Sequence, residues 1–105
     1  MFRQGDVLII PVKKMPEGCD TVKRDKGRVV LAYGEVTGHA HAITGRNASL
    51  YTQPKTKAPR TFLRVVKTEA LLRHEEHETV RLPAGDYEIK HQREYTPEEI
   101  RNVAD

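Results

Sequence analysis

Gly34-Glu35-Val36-Thr37-Gly38-His39-Ala40-His41-Ala42-Ile43 is the stretch on which the reading of this chain turns. Gly34, Gly38 and the nearby Gly45 interrupt any helix here, and Val36 and Thr37 favour extended backbone. Read as one strand, the stretch alternates between two faces. Val36, Gly38, Ala40 and Ala42 share one face; Glu35, Thr37, His39, His41 and Ile43 share the other. The first face is small enough for another segment to approach closely. The second is polar, which suits a lined pocket better than a core, and it sets two imidazoles side by side.

Working outward, the same period recurs. Arg28 to Tyr33 reads as a strand leading into the stretch. Val7-Leu8-Ile9-Ile10-Pro11-Val12 is an apolar run rich in branched residues, expected to be a strand buried on both faces, with Pro11 marking a sheet edge. Leu50 to Thr52, Thr61 to Val66, Ala70 to His74, Glu78 to Leu82 and Tyr87 to Gln92 follow, with a shorter strand near Thr21 to Lys23. Pro83-Ala84-Gly85-Asp86 supplies a turn with a fixed φ followed by a permissive one. The end differs in kind, because Thr96-Pro97-Glu98-Glu99 is a capping box and Ile100 and Val103 form a small apolar stripe. The expected fold is all-β: a small single-domain β-barrel or sandwich over residues 1–105, with 96–105 as a short docked C-terminal helix.

Composition agrees with one lean globular domain. The chain has 105 residues, 37% hydrophobic and 31% charged, with no Trp and two Phe, so its core must come from Val, Ile, Leu, Ala and Tyr. No apolar run approaches the roughly 18 residues of a membrane helix, and Met1 to Asp6 lacks the features of a signal peptide. The lone Cys19 excludes an internal disulfide. A cytoplasmic protein is the expectation, and there the Asn47-Ala48-Ser49 glycosylation triplet is idle.

A second histidine cluster, His74-Glu75-Glu76-His77, gives the first one a partner. On a continuous strand these two histidines would face opposite ways. With Glu75-Glu76 at the tip of a hairpin, or in a wider loop, they become neighbours. His39, His41, His74 and His77 would then offer four nitrogens to a divalent metal, or three histidines would join Glu75 or Glu76. Zinc is the default ion, with nickel, iron and manganese as alternatives. One open position would leave Glu75 or Glu76 free to act as general base on a bound water, in a hydrolase or lyase of a small polar substrate. No nucleophile motif or phosphate loop fixes a reaction. Against this stands a plain alternative: two histidine pairs among five histidines can arise by chance and lie on solvated loops. His91 shares a face with Tyr87 and Ile89 and is read as a packed side chain, and Cys19 as incidental.

A net charge of +3 is mild, but basic residues gather early in the chain. Lys23, Arg24, Lys26, Arg28, Lys55, Lys57 and Arg60 could contact phosphates in a nucleic-acid (RNA) module, with the histidines structural or catalytic in RNA cleavage. The aromatic residues that would stack bases are missing. An oligomeric scaffold is a third class, in which the histidines play no part.

Gly34-x4-His39-x-His41 resembles the opening of the first cupin motif, and Pro83-Ala84-Gly85 resembles the turn of the second. That resemblance implies a metal held by His39 and His41 inside a small β-barrel. Ile43 to Gly45 has no counterpart of the cupin glutamate, so further ligands would come from the second cluster. Along nearly its full length the chain also resembles an uncharacterised family of short bacterial and phage proteins. The shared segments are Gln4-Gly5-Asp6, Gly34 to His41, His74 to His77, and Gln92 to Pro97. This resemblance implies no reaction.

Overall fold

Alternation of apolar residues decides which side of each strand is buried. The computed structural model describes residues 1–34, 36–53 and 58–92, and these contain ten strands and no helix. They are β1 Phe2–Gln4, β2 Val7–Val12, β3 Asp20–Thr21, β4 Val29–Tyr33, β5 Ala40–Ile43, β6 Ala48–Gln53, β7 Arg60–Val65, β8 Ala70–Leu72, β9 Val80–Leu82 and β10 Gly85–His91. Six form an antiparallel sheet in the order β1-β2-β10-β7-β6-β3, and β4-β5 and β8-β9 form two-stranded ribbons.

One face of the large sheet packs on the two ribbons. Val7, Ile9, Ala48, Leu50, Leu63, Val65, Tyr87 and Ile89 from the sheet meet Val29, Leu31, Ile43, Ala70, Leu72 and Leu82 from the ribbons in a single apolar cluster. Each fully buried Val, Leu or Ile contributes about 1.5–3 kcal/mol. The outcome is an all-β, sandwich-like packing of two layers and not a closed barrel. In β2 only Val7 and Ile9 are fully buried, while Leu8 and Ile10 are half-buried, so the apolar run is covered mainly on one side. Pro11 lies past Ile9, the last β2 residue opposite β1, where that side of the strand is an edge.

The stretch from Gly34 to Ile43 is not one strand. The chain leaves β4 at Tyr33 and re-enters as β5 at Ala40. The intervening loop is closed by Gly34 N–H donating to His39 O at 2.8 Å and His39 N–H donating to Val36 O at 3.0 Å. Gly38 stands at φ +89, a left-handed value that ends the alternation there. His39 therefore precedes the strand and only His41 lies on it. Ala42 exchanges backbone hydrogen bonds with Arg73, at 3.0 and 2.9 Å, which docks the end of β8 on β5. β1 was not anticipated, and the C-terminal helix expected over 96–105 lies outside the described residues. Among the described residues no helix is long and apolar enough to cross a membrane.

On the outer face of the sheet, charge replaces apolar packing. Arg64 grips Asp86 with two parallel bonds of 2.9 and 3.1 Å, and Arg60 grips Glu88 with two of 3.0 Å. The Arg60 guanidinium also covers Phe62, 4.9 Å from the ring centre, which helps to leave Phe62 1% exposed. Met15 N–H donates to Asp86 Oδ2 at 2.9 Å and ties the segment after β2 to this face. The Arg64 guanidinium, ahead of the Met15 amide, holds the Asp86 carboxyl below its usual range.

Asp86→Ala removes that clamp and leaves a part-buried amide and guanidinium without partners, at about 1–3 kcal/mol. Because the folded pKa is depressed, the contribution is complete above the unfolded value of ~3.9 and disappears as pH falls through the folded one. Urea unfolding of the unaltered and Asp86→Ala proteins should differ at neutral pH and converge in strong acid. Equal stability at neutral pH would refute the assignment.

Candidate functional site

The Ala42–Arg73 bridge is also what assembles the histidines. His41 is one residue before Ala42 and His74 one residue after Arg73, so their rings meet at 4.2 Å between centres. β8 and β9 pair with Leu72 opposite Val80, and the loop between them is the wider alternative to a tight Glu-Glu turn. That loop returns His77 to within 4.7 Å of His74 and 5.8 Å of His41. His39 reaches the group from the β4–β5 loop, edge-on to His74 at 5.9 Å. All four expected histidines thus come together. They are graded in depth: His41 is 4% exposed, His39 and His74 are half-buried, and His77 is exposed.

They line a cavity of about 450 Å³ whose wall also carries Asp6 and Glu76. Two glycines make room for the rings. A Cβ on Gly5 would lie 2.8 Å from His77 Nε2, and one on Gly34 would lie 3.0 Å from His39 Cβ. Gly5 also has φ +60, so a side chain there would be strained as well as crowded. Tyr33 and Val36, both exposed, form an apolar lip, and the Tyr33 hydroxyl is hydrogen-bonded to Asp25.

The two loop glutamates have different positions. Glu75 Oε1 accepts the Ala40 N–H at 3.0 Å, and this bond, followed by one from its own amide, lowers its pKa. Glu75 is absent from the cavity wall, and its carboxylate fastens the 73–79 loop to the start of β5. Glu76 faces the cavity instead. Its Oε2 is 2.9 Å from His39 Nδ1, without the geometry of a hydrogen bond, and His39 Nδ1 has no hydrogen-bond partner among the described residues. Glu76 N–H donates to His74 Nδ1 at 2.9 Å.

His41 is held from behind. Its Nδ1 is 2.9 Å from Oε1 of Gln4, itself 2% exposed, while its Nε2 looks toward Asp6 Oδ1 at 4.0 Å. Gln4 Nε2 in turn donates to Leu72 O at 2.9 Å and Glu78 O at 2.8 Å. Burial, then repulsion from His74, pushes the His41 pKa down to about 4 against an opposing pull from Asp6.

Among the described residues, no group of three or more His, Cys, Asp or Glu stands as a ready-formed metal site. The rings are gathered without their nitrogens being focused on one point. Gln4, Gly5 and Asp6 were not picked out as site residues by residue type. His91 is exposed and not packed, and Cys19 Sγ rests 3.3 Å from Pro16 O. Of the basic residues, Arg24 donates to the carbonyls of Gly27, Gly45 and Ala48, Arg28 sits 3.9 Å from Asp25, and Arg60 is held by Glu88. Lys23 and Lys26 are exposed, and Lys55 and Lys57 lie outside the described residues.

A depressed histidine pKa has a definite sign. Between the unfolded value near 6.5 and the folded value of about 4, the unfolded chain takes up a proton that folded His41 refuses, so stability falls as pH falls. Protein treated with a chelator should lose about 2 kcal/mol of this kind from pH 7 to pH 5. Urea unfolding at the two pH values measures it, and His41→Asn should flatten the slope. An unchanged slope in the variant would show that the proton belongs elsewhere.

No curated protein and no solved structure matches the chain. Residues 3–92 match a family model described as Domain of unknown function (DUF8820), a span that takes in both histidine clusters and the Gln4-Gly5-Asp6 turn. With most of its length inside that match, the chain belongs to the DUF8820 family.

Proposed function

We propose that this protein binds a divalent metal ion, zinc by default with nickel, iron or manganese as alternatives, using His39, His41, His74 and His77. The observation that carries the reading is that two sequence-distant histidine pairs meet in one concave cavity bearing two carboxylates. Four imidazoles around an ion at 2.0–2.1 Å put their ring centres roughly 5 Å apart, and His74, His41 and His77 lie at 4.2 to 5.8 Å from one another, with His39 joined to them through His74 at 5.9 Å. A wall with Asp6, Glu76 and a neutral His41 favours a cation over an anion. With three of the four histidines bound, an ion here would keep one position for water or a small polar substrate. Glu76 lines the cavity and Glu75 does not, so Glu76 is the carboxylate that would accept a proton from a bound water in a hydrolase or lyase.

Coordination requires the rings to turn so that their nitrogens converge. His74 now accepts a hydrogen bond at Nδ1, so its Nε2 carries the proton. To ligate through Nε2 it must move that proton to Nδ1 and release the Glu76 amide, which makes that amide resonance a reporter of His74.

Tagless protein stripped with a chelator should bind Zn2+ in one-to-one ratio by calorimetry. His41→Ala and His77→Ala should each weaken binding by at least about tenfold, and His91→Ala should not. Absence of stoichiometric binding to the unaltered protein would overturn the proposal.

A further inference from the structure

We infer that the Gln4-Gly5-Asp6 turn is the third element of this cation site, with Asp6 a ligand beside His41 and Gln4 a positioning residue that holds His41 in the tautomer presenting Nε2. The inference rests on the metal-binding reading and deepens it.

The tautomer follows from what each atom can do. Leu72 O and Glu78 O are carbonyl oxygens and only accept, so the end of the Gln4 amide lying 2.9 and 2.8 Å from them is its NH2. The other end is then the amide oxygen, which also only accepts, and it lies 2.9 Å from His41 Nδ1. His41 Nδ1 must carry the proton. Its Nε2 is left as a bare lone pair on the cavity side, the arrangement that metal-ligating histidines adopt when an acceptor holds the remote N–H. Gln4 achieves this with every hydrogen-bonding group of its amide head engaged, and its two donations clamp both ends of the loop that carries His74 and His77.

The Asp6 argument is metric. His41 Nε2 and Asp6 Oδ1 are 4.0 Å apart, too far for a direct hydrogen bond. Two ligands each about 2.1 Å from a shared ion are roughly 3.4 Å apart in the tetrahedral geometry of zinc. The observed gap is wider than that by about 0.6 Å, a distance the half-exposed Asp6 side chain can close by turning toward the ion. The turn is packed to hold this position, since a Cβ on Gly5 would meet His77 Nε2 at 2.8 Å and His41 Cε1 at 3.3 Å. Asp6 O accepts the Gln92 N–H at 2.7 Å, which anchors the backbone that carries the carboxylate.

Long-range 1H–15N spectra of the chelator-treated, unaltered protein should show His41 protonated at Nδ1, and added Zn2+ should shift its Nε2 resonance. Asp6 is about half exposed, so Asp6→Asn should fold with an unchanged metal-free thermal midpoint yet bind Zn2+ about ten- to hundredfold more weakly. Gln4→Met should give a mixture of His41 tautomers and weaker Zn2+ binding, a combination that a purely structural role would not produce. His41 found protonated at Nε2, or Asp6→Asn binding Zn2+ as tightly as the unaltered protein, would overturn this inference alone. No Zn2+ binding by the unaltered protein would overturn the metal-binding reading and this inference with it.

Discussion

Two backbone hydrogen bonds between Ala42 and Arg73 hold the two ribbons of this molecule in register. Their net energy is modest, about 0.5–1.5 kcal/mol each. Their importance is geometric, because they join the β4–β5 ribbon to the β8–β9 ribbon at one register and no other. A one-residue slip would turn His41 to the opposite face of its strand. The bridge residue Ala42 and its near neighbour Ala40 carry only methyl groups, which leaves room for the second ribbon. Gln4 then acts from a third direction, binding the stem of the second ribbon and the imidazole of the first.

Much of the fold is legible in the alternation of apolar residues, and the exceptions have physical causes. The strands around Val7, Val29, Phe62 and Tyr87 show where side chains must be buried, so their positions follow from the sequence within a residue or two. The break at residues 34–39 does not, because it depends on Gly38 adopting a left-handed φ and on two local hydrogen bonds closing the loop. β1 is three residues long and too short to show a period. Sandwich and barrel were equally open, since the insertion of β10 between β2 and β7 is a pairing of distant segments that no local pattern encodes.

The site divides along the same line. Imidazoles advertise themselves by type and spacing, and the four histidines were identified that way. Gln4 and Asp6 are chemically ordinary, and what distinguishes them is contact across the chain, from Gln4 Oε1 to His41 and from Gln4 Nε2 to Leu72 and Glu78. The dipeptide Glu75-Glu76 illustrates the limit most sharply. Two identical side chains, adjacent in sequence, separate into a loop fastener and a cavity carboxylate because only one of them meets the Ala40 amide.

The origin of the cavity in three remote segments bears on how the chain acquires it. Residues 4–6, 39–41 and 74–77 belong to no single hairpin, so none of the local units that form quickly contains the whole pocket. The β6–β7 hairpin can zip up early and hold nothing. The pocket exists only after the long-range contacts close, so it is complete only when all three segments are docked. Anything captured there stabilises the complete native state by mass action and leaves partly folded forms behind. A ligand held by all three segments would therefore favour the fully assembled sandwich over any part of it.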